Sequence, residues 1–146
     1  MSVPSAIELV VQAVRTSNAL LRASRRIFKP FGLSEAQYNV LHILQESPAN
    51  LSQRELSDIL IVDRSNVTGL IDRMERAGWV KRLPVPGDRR AYQVKLTPAG
   101  RKLWQKVYPH YESAANAVID GLKPTHLRTT RDTLAAIESQ AIPLGL

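Results

Sequence analysis

The sequence predicts a mainly α-helical chain with one small β-hairpin, and three observations carry that prediction. Apolar residues recur at spacings of three, four and seven over long stretches toward both ends, the period of an amphipathic helix. Three serines, each followed three residues later by Glu or Gln, mark helix starts. Around residues 79–96 the helical period gives way to strand-like alternation broken by Pro and Gly, the pattern of a hairpin.

The three starts are Ser5-Ala6-Ile7-Glu8, Ser34-Glu35-Ala36-Gln37 and Ser52-Gln53-Arg54-Glu55. In each, the hydroxyl and the carboxylate or amide can satisfy one another's backbone N–H, groups that a first helical turn otherwise leaves unpaired. Pro98 after Thr97, and Pro124, suit the first helical position, where no donor is needed. The first helix is expected from about Ala6 to Lys29, with the stripe Ile7, Val10, Val11, Val14, Leu21 and Phe28. Arg22, Arg25, Arg26 and Lys29 crowd its C-terminal end, where cations suit the helix dipole, and Pro30 stops it. A second helix, about Glu35 to Glu46, carries Val40, Leu41 and Leu44. From Thr97 a long stripe runs through Leu103, Trp104, Val107, Tyr108, Tyr111, Ala115, Val118, Ile119 and Leu122. Pro109 inside it removes a backbone hydrogen bond and predicts a kink. The last helix, about Pro124 to Gln140, shows Leu127, Leu134 and Ile137. A first helix of that length is roughly 36 Å long, more than one small module covers. Its stripe is most simply buried against the C-terminal helices and a second copy of the chain; an extended monomeric bundle is the alternative.

Composition narrows the function. The 146 residues are 44% hydrophobic, enough for a packed core, but only 5% aromatic, so that core rests on Leu, Ile, Val and Ala. A net charge of +7 and an isoelectric point near 10.1 favour polyanionic partners. There are no cysteines, which removes disulfides, thiolate metal sites and thiol redox sensing. No uncharged apolar run approaches the roughly 20 residues that span a bilayer, and the N-terminus lacks a basic region followed by an apolar stretch. The expectation is a soluble cytoplasmic protein with no membrane partner and no cofactor.

The central unit holds the function. A short helix, about Gln53 to Ile59, is expected to expose Arg54 and Asp58 and to bury Leu56, Ile59 and Leu60. Val62-Asp63-Arg64-Ser65 reads as a turn with Asp63 capping the next helix, about Arg64 to Ala77, which ends at Gly78. At 100° per residue, Val67, Leu70, Ile71 and Met74 fall together and form the core face. Ser65, Gly69, Asp72 and Arg76 lie opposite, with Asn66 and Arg73 on one flank and Thr68 on the other. A helix that reads the major groove needs small polar residues early and basic ones later. Glycine in a helix costs roughly 0.5–1 kcal/mol against alanine, so Gly69 wants a reason, and close approach of the backbone to DNA supplies one. An ordinary solvated helix face is the alternative. Next come strand-like Trp79–Leu83 and Ala91–Leu96 about a turn at Pro84–Arg90. Between Arg76 and Lys95 stand six basic residues against the single acid Asp88. An arginine-rich hairpin tip beside such a helix can reach into the minor groove.

The stretch LSQRELSDILIVDRSNVTGLIDRMERAGWVKRLPVPGDRRAYQVKLTPAGRKL resembles the multiple antibiotic resistance regulator (MarR) family. The points of resemblance after the expected reading helix are Asp88-Arg89-Arg90, Val94-Lys95-Leu96 and the Leu-Thr-x-x-Gly start Leu96-Thr97-Pro98-Ala99-Gly100. The resemblance implies a winged helix-turn-helix lobe flanked by long N- and C-terminal dimerisation helices, divided as residues 1–33, 34–97 and 98–146. It implies a transcriptional regulator, a repressor by expectation, that binds double-stranded DNA as a homodimer on a pseudo-palindrome. The candidate contacts are Arg64, Ser65, Asn66, Thr68, Gly69, Arg73 and Arg76 on the helix and Asp88, Arg89 and Arg90 on the wing. Arg90 would enter the minor groove, with Asp88 orienting the wing by pairing with an arginine. Many members answer to small aromatic or phenolic effectors near the lobe–dimer junction. Phe31, Tyr38, His42, Trp104, Tyr108 and Tyr111 are candidates for lining such a pocket; a packed aromatic core is the alternative.

No catalytic constellation emerges. His42, His110 and His126 fall on three separate expected helices, without a carboxylate at ligand spacing, so no metal site is expected. Gly87 and Gly100 are isolated and form no phosphate-binding loop. Two rivals remain, a winged helix that binds protein and a nonspecific architectural DNA binder. The arginine-rich wing argues against the first; Ser65, Asn66 and Thr68, in place of a lysine carpet, argue against the second.

Overall fold

The structure is a computed structural model that describes residues 3–60 and 66–144. Its elements are α1 (Ala6–Phe28), α2 (Glu35–Glu46), β1 (Leu51–Ser52), α3 (Gln53–Ile59), α4 (Val67–Arg76), β2 (Val80–Val85), β3 (Asp88–Leu96), α5 (Pro98–Ile119) and α6 (Pro124–Ala141). Short 3-10 turns follow α1 at Lys29–Phe31 and α6 at Ile142–Leu144. The expected turn at Val62–Ser65, with its Asp63 cap, lies outside the described residues.

All three capping boxes form. Ser5, Ser34 and Ser52 each accept the backbone N–H of the residue three places on, and Glu8, Gln37 and Glu55 reach back to the serine N–H. Pro30 ends α1 at Phe28, and the chain tightens into its 3-10 turn there. α5 continues through Pro109.

The three strands form an antiparallel sheet in the order β1-β3-β2. β1, unforeseen in the sequence, is two residues long and pairs Leu51 with Val94 and Ser52 with Gln93; so short a strand leaves no periodicity to read. The hairpin strands also run further than expected. Pro84, Val85 and Asp88–Arg90 belong to them, and the turn shrinks to Pro86-Gly87, with Gly87 at φ 85°.

The chain forms two compact units, residues 1–111 and 112–146. The first has one core, in which the α4 face Val67, Leu70, Ile71 and Met74 joins Phe28, Tyr38, Leu41 and Leu56 from the preceding helices and Val80, Val94 and Leu96 from the hairpin. Ile59, expected inside, is 52% exposed. On a seven-residue helix the single line through Leu56 meets the core; Leu60 turns in because the chain goes extended there (ψ 134°), and Ile59 is left beside that line. Much of the α1 stripe is in solvent: Ile7, Val10, Val11, Val14 and Leu21 are exposed, and only Phe28 is buried. In the second unit Val118, Ile119, Leu122 and Leu134 are exposed, while Leu127 and Ile137 are half-buried.

Candidate nucleic-acid interface

Helix α4 presents a polar face opposite its core line. Asn66, in the N-cap position, and Thr68, Arg73 and Arg76 are exposed, while Gly69 is half-buried. A Cβ built on Gly69 would lie 3.4 Å from Arg73 Nη1 and 3.6 Å from Asn66 Oδ1, so the glycine is a flat spot between these two side chains. Arg64 and Ser65 lie outside the described residues. The helix ends in a Schellman motif: Trp79 N–H donates to Met74 O (3.0 Å) and Gly78 N–H to Glu75 O (2.9 Å). Gly78 takes the left-handed φ of 77° that this turn requires, and the chain leaves directly into β2.

Arg82 of β2 ties this helix to the wing. Its guanidinium pairs with Asp72 Oδ1 (2.7 Å) and Glu75 Oε2 (2.8 Å), and its backbone N–H donates to Glu75 Oε1 (2.9 Å). The same guanidinium donates to Gln53 Oε1 of α3 from Nε (3.3 Å) and Nη2 (3.2 Å). Gln53 Nε2 in turn donates to Thr68 Oγ1 (2.8 Å). The hydrogen bond from the Arg82 backbone N–H, joined by the Arg82 guanidinium, holds the Glu75 carboxyl below the ordinary glutamate range against burial and the nearby Asp72. Burial alone would lower the Arg82 guanidinium; Asp72 and Glu75 outweigh it and push it up. Arg82 therefore differs from the other basic residues with which its charge is counted. Its side chain is only 18% exposed and its charge is met by two carboxylates of α4. Sequence reasoning missed this node; the signal available was the Asp72/Glu75 pair, three apart on one helix flank, with an arginine soon after.

The wing carries Asp88, Arg89 and Arg90, all exposed. On β2, Pro84 and Val85 are adjacent, yet their partners are Tyr92 and Asp88, so Arg89, Arg90 and Ala91 form a bulge on β3. The arginines therefore stand just past the turn on a bulged strand, an arrangement that re-aims side chains. Asp88 Oδ1 accepts the Arg90 backbone N–H at 2.9 Å. This bond, to a main-chain amide two residues on, holds the bulge in shape.

Behind the wing, the Leu-Thr-x-x-Gly start is a packing device. Thr97 Oγ1 donates to Gly78 O (2.6 Å) and accepts Gly100 N–H (3.0 Å), and Thr97 N–H donates to Trp79 O (3.1 Å). A Cβ on Gly100 would fall 2.0 Å from that Trp79 oxygen. Only glycine lets α5 begin this close to the end of α4.

Residues 31–91 match a family model described as the MarR family. The chain is 31% identical to the homoprotocatechuate degradative operon repressor of Escherichia coli, over 73% of this chain and 71% of that one. The chain belongs to the MarR family. It is thus a winged-helix DNA-binding transcriptional regulator in its family assignment. Among solved structures, this MarR-family chain is similar to Sco3205 of Streptomyces coelicolor in complex with DNA (25% identity, TM-score 0.84, 96% of this chain and 91% of that one). It is also similar to CouR of Rhodococcus jostii RHA1 bound to p-coumaroyl-CoA (26%, TM-score 0.77, 88% and 90%).

Five of the six effector-pocket candidates of this MarR-family chain meet in one stack. Tyr38 is buried, 5.1 Å from the Tyr111 ring and 5.9 Å from His42; Trp104 and Tyr108 lie 4.7 Å apart, both near His42. The Trp104 indole N–H donates to His42 Nδ1 (3.3 Å). Phe31 stands apart, on the 3-10 turn against His110 (5.3 Å). Phe28, not singled out for the site, stacks on Tyr38 at 4.2 Å. Among the described residues no three His, Asp or Glu side chains gather as a metal site, and no helix is long and apolar enough to cross a membrane.

Proposed function

We propose that the chain is a cytoplasmic homodimeric repressor that binds a pseudo-palindromic operator and is released by a small aromatic or phenolic effector. The observation that carries this is the shared bracing of two exposed polar surfaces. The α4 face with Asn66, Thr68 and Arg73 and the wing with Arg89 and Arg90 are linked through Arg82. In this reading Asn66, Thr68 and Arg73 meet the major groove, together with Arg64, Ser65 and Arg76, and Gly69 lets the backbone approach. Arg90 enters the minor groove beside Arg89, and Asp88 keeps the bulge in shape.

Dimerisation is supported by the exposed apolar residues of α1 and of the second unit, considered separately. Segments 1–33 and 98–146 are the proposed dimerisation elements and 34–97 the reading lobe. The stacked rings around His42 suit a flat aromatic ligand, and CouR, a similar fold, is bound to p-coumaroyl-CoA. Sedimentation velocity and selection from a randomised duplex library test the reading together. A species of twice the 16.3 kDa chain mass is expected. The selected motif should have two half-sites about one helical turn, or 10 base pairs, apart centre to centre. A persistent monomer would overturn the dimer, and enrichment of no motif would favour an architectural DNA binder.

A further inference from the structure

We infer that Gln53 is a specificity-determining positioning residue: clamped by Arg82, it occupies one lone pair of the Thr68 hydroxyl and biases that group toward donating to the DNA. This rests on the reading that Thr68 faces a base edge. The chain of reasoning is one of donors and acceptors. A guanidinium has only donors, so the end of the Gln53 amide facing Arg82 must be its oxygen. The other end is then the NH2 group, and it points at Thr68 Oγ1 (2.8 Å). The Thr68 oxygen must accept there, and its own hydrogen is directed elsewhere. Arg82 cannot release the amide easily, because Asp72 and Glu75 hold the guanidinium from its other sides. Gln53 and Thr68 both line the open cleft between α3 and α4, and Thr68 is exposed, so the hydroxyl is accessible.

A threonine free to rotate can serve either donors or acceptors on a base edge. One whose oxygen already accepts from Gln53 keeps a second lone pair, but the accepted bond polarises its O–H, so donation becomes its stronger mode and favours an acceptor, such as guanine O6 or N7, adenine N7 or thymine O4. It disfavours cytosine, whose major-groove edge offers the N4 donor. A side chain on α3 would thus set the preference at a position read by α4.

The test is a selection from a randomised duplex library with four proteins: wild type, Thr68→Ala, Gln53→Ala and Gln53→Glu. Circular dichroism and thermal unfolding check that each is folded. Wild type is expected to disfavour cytosine at one position per half-site, and Thr68→Ala to relax that position. Gln53→Ala should relax the same position, by roughly 2- to 10-fold, the worth of one hydrogen bond, leaving the others unchanged. Gln53→Glu is the sharper variant. A carboxylate only accepts, so Thr68 must donate inward and present its lone pairs to the DNA. The preference should then move toward cytosine or the adenine N6 donor, whatever the added negative charge does to overall affinity. If Thr68→Ala leaves every position unchanged, the base-facing reading of Thr68 fails. If Thr68→Ala relaxes a position and the Gln53 variants leave it as in wild type, that reading stands and the inference falls. Uniform weakening of all sequences by Gln53→Ala would also overturn it, by making Gln53 a phosphate contact.

Discussion

Gly69→Ala should make the protein more stable and a poorer DNA binder, and the two effects can be sized separately. The residue is the third of α4 and has no positive φ, so alanine fits its backbone. Replacing glycine by alanine in a helix stabilises by roughly 0.5–1 kcal/mol. The new methyl would meet Arg73 Nη1 at 3.4 Å and Asn66 Oδ1 at 3.6 Å, ordinary contacts that create no strain to offset this gain. On DNA the same methyl projects about 1.5 Å from the backbone between two proposed contact residues. If the duplex closes on the glycine, the cost is that of forcing a methyl into a packed contact, roughly 1–3 kcal/mol per monomer, or at least fivefold in affinity. Urea denaturation measures the first effect, and fluorescence anisotropy with a duplex selected by the wild-type protein measures the second. A stabilised variant that binds like wild type would refute close approach at Gly69. A destabilised variant would refute the packing on which the argument rests.

Gly100→Ala should behave oppositely. Its Cβ would sit 2.0 Å from Trp79 O, so α5 must back away and strain its Thr97 bonds, a loss of roughly 2–4 kcal/mol readable by urea denaturation. Wild-type stability in that variant would show that α5 is not seated there. Arg90→Ala should weaken DNA binding without unfolding the protein, since the residue is exposed, and should flatten log affinity against log salt by about 0.9 per monomer. Asp88→Ala should weaken binding too, although it removes a negative charge, because the Arg90 N–H loses the acceptor that shapes the bulge; tighter binding in anisotropy titrations would contradict this. Glu75→Gln tests the brace by pH. The folded-state Glu75 carboxyl lies below its ordinary 4.5, so its contribution is fully present above that value and is lost as pH falls through the lowered one. The melting-temperature gap between wild type and variant should be steady from neutral pH to about 5 and close on further acidification; a gap that widens in acid would rule the brace out.

Local chemistry was legible from the residues alone. The capping boxes, the proline stop at Pro30, the bounds of α2 and α3, and the α4 core line depend on neighbours within a turn or two. The wing motif and the Thr97–Gly100 start were legible for the same reason, and together they carried the family resemblance. Contacts between residues far apart in sequence were decided only by the tertiary structure. Arg82 looked like one more wing cation until the fold set it against Asp72, Glu75 and Gln53, the last 29 residues away. Gly100 looked isolated until Trp79 O came within reach of its Cα hydrogen. β1 pairs with a strand some forty residues on, across two helices, and its two residues leave no pattern. Ile59 failed as a core prediction because a seven-residue helix presents one line to a core, and which line is settled by what packs against it. Periodicity encodes which residues share a face; the partner of that face, and the proton that a hydroxyl on it can offer, exist only once the chain is folded.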